Sequence, residues 1–369
     1  MTAYHLNPRA RDGAHEAPFR PEQYADLARF YERHPELEPT RLTPLPTLAR
    51  ELGIGALHVK DESTRFGLNA FKSLGVRYAV DRLQRDGRIA KDATLVCASA
   101  GNHGRAVARA ARERGLAARV YMARTAADGV KRNIASEGAE VVVVDGTYDD
   151  AVRRMAQDAE AHGWTIVSDT SWPGYDEIPR LIMLGYTRIV DEIAAQPGGT
   201  PDAIFVQGGV GGLVCGVAAG SLQRWGDRRP HLVACEPIHA ACLLASARAG
   251  RLVSLTEPIT TIMAGLGCAE PSPAAWPAIG SLADAFVAVD DDATVAAMRK
   301  LARPAGSDPP IESGPSGACG LASLTAVMTE ETLQPVRRAL GLGQASRVVV
   351  INTEGATDPE LYDRLVRRN

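Results

Sequence analysis

Short apolar runs alternate with amphipathic stretches along most of this chain, and no other feature restricts the fold as much. Thr94-Leu95-Val96-Cys97-Ala98 is apolar almost without interruption, the pattern of a strand covered on both faces. Ala-rich residues 105–114 follow as a helix stopped by Gly115. Strands at 119–122, 141–144 and 165–167 and helices at 130–137 and 148–162 continue the series. A helix over 181–195 leads to the break Gln196-Pro197-Gly198-Gly199-Thr200-Pro201. A second series then runs through strand 203–206, helix 214–225, strand 231–235, helix 240–249, strand 286–289, helices 291–303 and 314–328, and strand 347–352. Such alternation, at a spacing of about 10–25 residues, predicts parallel βαβ units with right-handed crossovers. The first forty residues are polar and Pro-rich and read as an arm with one or two short helices, such as 22–34. For 369 residues the expectation is an α/β chain of two three-layer domains with mainly parallel sheets. Residues 1–75 and 181–369 would form the larger unit, and 76–180 a smaller, mobile one.

Three strand–helix junctions carry chemistry. Asn69-Ala70-Phe71-Lys72-Ser73-Leu74-Gly75 sets Lys72 beside a bulky ring where a helix begins. Ser99-Ala100-Gly101-Asn102-His103-Gly104 ends a strand and opens a helix; its backbone N–H groups suit a carboxylate, and Asn102 is placed to bond a ligand oxygen. Gly208-Gly209-Val210-Gly211-Gly212 lets backbone N–H groups approach phosphate oxygens at a helix N-terminus. Together they suit one flat, phosphorylated aldehyde, pyridoxal 5′-phosphate, with Lys72 as its Schiff-base partner. Taken singly, each has a plainer reading: a solvated lysine, a capped Asn/Gly turn, a tight strand–helix turn. The glycine loop also admits a Rossmann NAD(P) site with Glu236 as the ribose-binding acid, so a nicotinamide dehydrogenase stays open as the alternative. No G-x-x-x-x-G-K-[ST] run is present, which argues against a nucleoside triphosphatase.

Composition narrows the partners. Net charge is −3 with both signs mixed throughout, unlike a nucleic-acid footprint or a polybasic membrane patch. No run approaches the ~18 apolar residues of a membrane span, and the N-terminus lacks a basic-then-apolar leader pattern. The expectation is a cytoplasmic protein acting on a small molecule, with neither nucleic acid nor membrane as partner. The six cysteines lack metal-ligand spacing, so no metal site is expected and most should be buried apolar residues.

The lysine segment, Ser-Ala-Gly-Asn-His-Gly and Gly-Gly-Val-Gly-Gly, in this order and spacing, resemble the fold-type II pyridoxal-phosphate enzymes. Within that group the chain is similar to the diaminopropionate ammonia-lyase family over roughly residues 40–365. Residues 65–72, Asp169-Thr170-Ser171-Trp172-Pro173-Gly174-Tyr175, residues 262–271 and Thr353-Glu354-Gly355-Ala356-Thr357-Asp358 carry this narrower likeness. The resemblance implies that Lys72 carries the cofactor and then acts as base at Cα, with Phe71 alongside. It implies that Asn102 bonds the ring 3-oxygen, that Gly208, Gly209, Val210, Gly211 and Gly212 hold the phosphate, and that Thr353 faces the pyridine nitrogen. Ser99, Ala100 and Gly101 would line the substrate carboxylate, and His103 would also bind the substrate. Asp169, beside Trp172 and Tyr175, would bind a second ammonium group of the substrate, or relay a proton there. Cys242 and Cys268 match two family cysteines and are expected as thiols in a reducing cytoplasm. The family also implies a homodimer.

One position departs from the ammonia-lyase pattern. An Asp normally precedes Gly-Asn-His-Gly and serves as base for the D-isomer, whereas here Ala100 stands. The expected activity is therefore elimination of ammonia from 2,3-diaminopropionate with the L-isomer preferred. L-serine or L-threonine dehydration and β-replacement on another β-substituted L-amino acid are the alternatives within the class.

Overall fold

The computed structural model describes residues 1–12 and 15–367. Its strands are β1 (Ala3–Leu6), β2 (Leu42–Pro44), β3 (Ala56–Asp61), β4 (Thr94–Ala98), β5 (Ala117–Ala123), β6 (Glu140–Val144), β7 (Thr165–Ile166), β8 (Ala203–Gln207), β9 (His231–Pro237), β10 (Ala285–Val289) and β11 (Arg347–Asn352). Seven pair in the order β1-β10-β9-β8-β11-β3-β2 and four in the order β6-β5-β4-β7. All pairings in the smaller sheet are parallel. In the larger, only the edge strands β1 and β2 run antiparallel to their neighbours. The expected α/β architecture with mainly parallel sheets is what the chain adopts.

β8 and β10 are buried along their whole length, because helices cover both faces of the sheet. Side chains alternate between the faces. Ile204, Val206, Phe286 and Ile351 enter a core that continues to the smaller sheet through Leu74, Val107 and Ile182. Phe205, Val287 and Val350 point the other way, into a core with Val59 and Leu324. The Lys72–Arg85 and Glu177–Tyr186 helices cross closely at Gly75, where a Cβ would lie 2.4 Å from the Ile182 carbonyl oxygen. Only glycine fits there, and this crossing fixes the height of the helix that Lys72 begins.

Several elements differ from expectation, each for a local reason. The N-terminal segment is not only an arm, since β1 adds an antiparallel edge to β10. The single helix over 181–195 is two, Glu177–Tyr186 and Arg188–Ala195; between them Thr187 returns its hydroxyl to the Leu184 carbonyl at 2.8 Å. Helices Pro46–Leu52, Trp276–Leu282 and Gln334–Ala339 were not legible, because each carries Pro in its first turn, where it starts a helix instead of breaking one. The helices after the two functional turns begin earlier than expected, at Asn102 and Gly212, so both residues stand at helix N-termini.

The segment leading to Lys72 is held by a buried ionic cluster. Lys60 Nζ lies 2.6 Å from Glu192 Oε2. Arg65 donates to both oxygens of Glu62 at 2.7 Å and to both of Glu192 at 2.9 and 2.7 Å. Side-chain exposure is at most 1% in all four residues, so the two cations rely on the two carboxylates for counter-charge. We expect Glu192→Ala to destabilise the protein by about 3–5 kcal/mol, because two buried cations lose a shared partner. The shift of the denaturant midpoint measures this.

Candidate active site

The functional segments meet where β3, β4, β7, β8 and β11 end. Asn69, with φ of 58°, turns the chain before Lys72. Backbone bonds then tie this turn to the end of β11: Phe71 N–H donates to the Thr353 carbonyl at 3.1 Å and Gly355 N–H to Asn69 at 3.0 Å. Phe71 packs against Tyr186 with ring centroids 4.9 Å apart. Lys72 Nζ lies 5.1 Å from the centre of the Phe71 ring and donates to Asp169 Oδ2 at 2.5 Å. Asp169 reaches this position on the loop after β7. Burial raises the Asp169 carboxyl, but the Lys72 ammonium and the hydrogen bond it donates hold it below the usual carboxylate range.

His103 is buried, with Nε2 2.7 Å from the Val167 carbonyl. A carbonyl only accepts, so Nε2 carries the hydrogen and Nδ1 presents a lone pair. Nδ1 has no hydrogen-bond partner among the described residues and sits 3.7 Å from Asp169 Oδ2. Burial lowers the imidazole below its ordinary value against the pull of Asp169, which keeps it neutral. His103 was expected to bind the substrate; in the structure its ring lies beside Asp169.

Asn102 donates its amide N–H to Glu354 Oε2 at 2.5 Å, and Ser316 N–H donates to Glu354 Oε1 at 3.1 Å. Ser99 Oγ accepts from Gly101 N–H at 3.0 Å and Gly104 N–H at 2.9 Å, so it braces the turn that carries Ala100 and Gly101. Tyr175 stacks on Trp172 at 4.1 Å. Its hydroxyl accepts from Ser168 N–H and donates to the Ile166 carbonyl, which leaves only the ring for contacts in the cleft. Thr353 is buried, and its hydroxyl has no partner among the described residues.

The glycine loop leaves β8 and enters the Gly212–Trp225 helix through Gly211, whose φ is 95°. A Cβ there would lie 2.4 Å from Ile279 Cδ1; one on Gly209 would lie 3.2 Å from both Cys268 Sγ and the Gly265 carbonyl. The first N–H groups of the helix have no partner within it. This is a cradle that side chains would fill and that a phosphate suits. With Lys72, Asn102 and Thr353 converging on the same cleft, the residues fit pyridoxal 5′-phosphate.

One sequence alternative falls away. Glu236 is not a ribose-binding acid: it is fully buried, and its two oxygens accept Leu243 N–H at 2.7 Å and Leu244 N–H at 2.8 Å, capping the Cys242–Ala249 helix. The nicotinamide reading loses its acid. Glu270, at the end of the 262–271 stretch, accepts from the Ser254 hydroxyl on the surface at 2.7 Å. Cys242 and Cys268 are free thiols on either side of Gly209, with Cys242 Sγ 3.5 Å from the Gly209 carbonyl.

Residues 34–354 match the family described as pyridoxal-phosphate dependent enzyme, and the chain belongs to it. Its sheets are those of the fold-type II branch. The chain is 38% identical to diaminopropionate ammonia-lyase from Escherichia coli K12, covering 95% of this chain and 93% of that one. The solved structure of the Escherichia coli enzyme with an aminoacrylate-PLP azomethine reaction intermediate superimposes with a TM-score of 0.91 at 36% identity, over 99% and 97% of the two chains. The same enzyme in complex with D-serine gives 0.91 at 35%, over 99% and 97%. Within the pyridoxal-phosphate enzymes the chain belongs to the diaminopropionate ammonia-lyase family.

Sequence reading passed over Glu354, although it follows Thr353 directly, because a side chain beyond a strand end can point either way. It also missed Ser171 and Ser272, whose hydroxyls meet at 2.8 Å and join the Asp169 loop to the loop beside Val210. Burial pushes the Glu236 carboxyl up to about 8 against its two amide donors. The folded state then binds a proton that the unfolded state releases above its ordinary carboxylate value, so this group's contribution to stability is lost as pH rises towards 8. Urea midpoints from pH 5 to pH 8 should therefore fall more steeply in the wild type than in Glu236→Gln, by about 1 kcal/mol or more per pH unit near the middle of that range.

Proposed function

We propose that this protein eliminates ammonia from 2,3-diaminopropionate, preferring the L-isomer, and yields pyruvate and a second ammonia with uptake of one water. The observation that carries this reading is the contact of Lys72 Nζ with Asp169 Oδ2 in a cleft that also holds Asn102 and the glycine loop. When bound, pyridoxal 5′-phosphate supplies the imine linkage and the electron sink that make the substrate Cα proton acidic.

The chain's own groups then divide the work. Lys72 holds the cofactor and, as a neutral amine, takes the Cα proton. Asp169 attracts the β-ammonium of the substrate, an interaction a β-hydroxyl cannot match, and serves proton transfer at that nitrogen as it leaves. The turn at Ser99, Ala100 and Gly101 receives the substrate carboxylate. Gly208, Gly209, Val210, Gly211 and Gly212 hold the phosphate, Asn102 the ring oxygen, and Thr353 the pyridine nitrogen. A neutral hydroxyl at that nitrogen leaves the ring unprotonated and moderates its electron demand. Residues 76–180 move as a smaller unit in this reading, since Asn102 and Asp169 come from it and Lys72 and the glycine loop from the remainder. The protein works as a cytoplasmic homodimer, which light scattering of the purified protein and cell fractionation check.

L-Serine dehydration and β-replacement remain as rivals. Pyruvate release with and without an added thiol separates replacement from elimination. Lys72→Ala should remove the visible band of the lysine-linked cofactor at about 410–420 nm, with its fixation by borohydride, and lower turnover by about 10³-fold or more. A colourless wild-type protein that stays colourless with the vitamin refutes the reading. Asp169→Asn should lower kcat/KM for 2,3-diaminopropionate by about 10²-fold and for L-serine by less. The methyl group of Ala100 moves no proton, so turnover of D-2,3-diaminopropionate should fall well below that of the L-isomer. Equal rates on the two isomers count against a role for this position.

A further inference from the structure

We infer that Glu354 is a positioning residue that fixes which end of the Asn102 amide is offered to the cofactor. This rests on the pyridoxal-phosphate reading of the site and adds to it a residue that does not itself touch the ligand. An asparagine amide is nearly symmetrical in shape and presents either two donors or one acceptor depending on a flip. The ring oxygen of the cofactor is an acceptor, so the site needs the nitrogen end.

Glu354 supplies that choice. Its Oε2 accepts from Asn102 Nδ2 at 2.5 Å, while the second N–H of the same nitrogen stays available. A flipped amide would set its oxygen against the carboxylate. Glu354 is itself held from three sides. Its Oε1 accepts from Ser316 N–H at 3.1 Å, within the first turn of the Pro315–Thr329 helix, where the helix dipole favours a negative charge. Its carbonyl accepts from Gly314 N–H at 3.0 Å, and its backbone pairs with Ala70, two residues before Lys72. The residue is only 6% exposed, so water competes little for its oxygens. Burial raises its proton affinity, against its bonds from Ser316 and Asn102 and the nearby Lys72. Glu354 therefore spans from the helix that opens at Asn102, on the smaller sheet, to the Pro315–Thr329 helix on the larger.

The test loads wild type, Glu354→Gln, Asn102→Ala and the double variant with pyridoxal 5′-phosphate. Visible spectra and cofactor dissociation constants are recorded, with borohydride fixation on Lys72 as the check on the cofactor reading. Glutamine can turn its own amide towards Asn102 and so permits the flip. Glu354→Gln should shift the visible band and weaken cofactor binding by about tenfold, the size of one lost hydrogen bond to a charged group. Asn102→Ala should do the same, and the double variant should match Asn102→Ala alone. The inference is overturned if Glu354→Gln leaves band and affinity unchanged, or if its effect adds in full to that of Asn102→Ala. Should near-UV circular dichroism show the Gln variant unfolded, Glu354→Asp keeps the charge but draws it back from Asn102, and the same two outcomes decide. A wild type that fixes no cofactor on Lys72 overturns the reading of the site together with this inference. Fixation with an unchanged Glu354→Gln spectrum overturns the inference alone.

Discussion

Two cations and two carboxylates without access to water, Lys60, Arg65, Glu62 and Glu192, set the path of the chain into the site. Burying such charges is unfavourable unless each finds a partner of opposite sign in good geometry. Here the four come from three elements: β3 carries Lys60, the turn after it Glu62 and Arg65, and the Arg188–Ala195 helix Glu192. The cluster is satisfied only when this turn folds back onto that helix. Thr40 completes it, its hydroxyl donating to Glu62 at 2.6 Å while its carbonyl accepts from Lys60 at 2.8 Å. The chain then leaves Arg65 through Phe66 and Asn69, both in the left-handed region at 49° and 58°. Neither residue is glycine, so the neighbouring structure must impose these conformations, and the cluster on one side and the end of β11 on the other do so.

From that anchor the site follows by topology. In a parallel sheet the strand ends that share one edge also share one direction, and ligands gather beyond the carboxyl ends. β3 delivers Lys72, β4 delivers Asn102, β7 delivers Asp169, β8 the glycine loop, and β11 Thr353 and Glu354. Residues far apart in sequence meet because the register brings β11 between β8 and β3. The smaller sheet touches the larger one at this edge through polar bonds as well as the shared apolar core. Lys72 meets Asp169, Asn102 meets Glu354, and Arg105 donates to the Leu68 carbonyl at 3.1 Å. Each of these bonds joins a residue of the β4–β7 region to one outside it.

What could be read from the sequence follows the same physics. Strands buried on both faces announce themselves as unbroken apolar runs, and β4, β8, β10 and β11 were legible for that reason. β1 was not, because a four-residue edge strand of intermediate burial has no pattern to display. Lys72, Asn102 and the glycine loop were legible because each interrupts a strand–helix rhythm with residues that neither element prefers. Glu354 and the Ser171–Ser272 pair were not, because their roles depend on contacts across 252 and 101 residues that no local pattern encodes. Glu236 shows the opposite failure. An acid after a strand fits a dinucleotide pattern by spacing, but the same position is also where a helix needs its N-terminus capped, and the cap is what it provides.

The environment of Asp169 also limits where protons can travel. Its negative charge is held by Lys72, and His103, neutral and locked by the Val167 carbonyl, offers only a lone pair from the other side. Whenever the Lys72 nitrogen is uncharged, the carboxylate loses its strongest counter-charge, and burial then raises its proton affinity. The Nδ1 of His103 can accept a hydrogen bond from the protonated form but can do nothing for the ionised one. The two neighbours therefore bias Asp169 in opposite directions, and the charge on Lys72 decides between them. A group that is ionised beside an ammonium and takes up a proton beside a free amine is matched to a reaction in which that same lysine changes its charge. Ala100 gives the other side of the turn no comparable group, since a methyl neither takes up nor releases a proton.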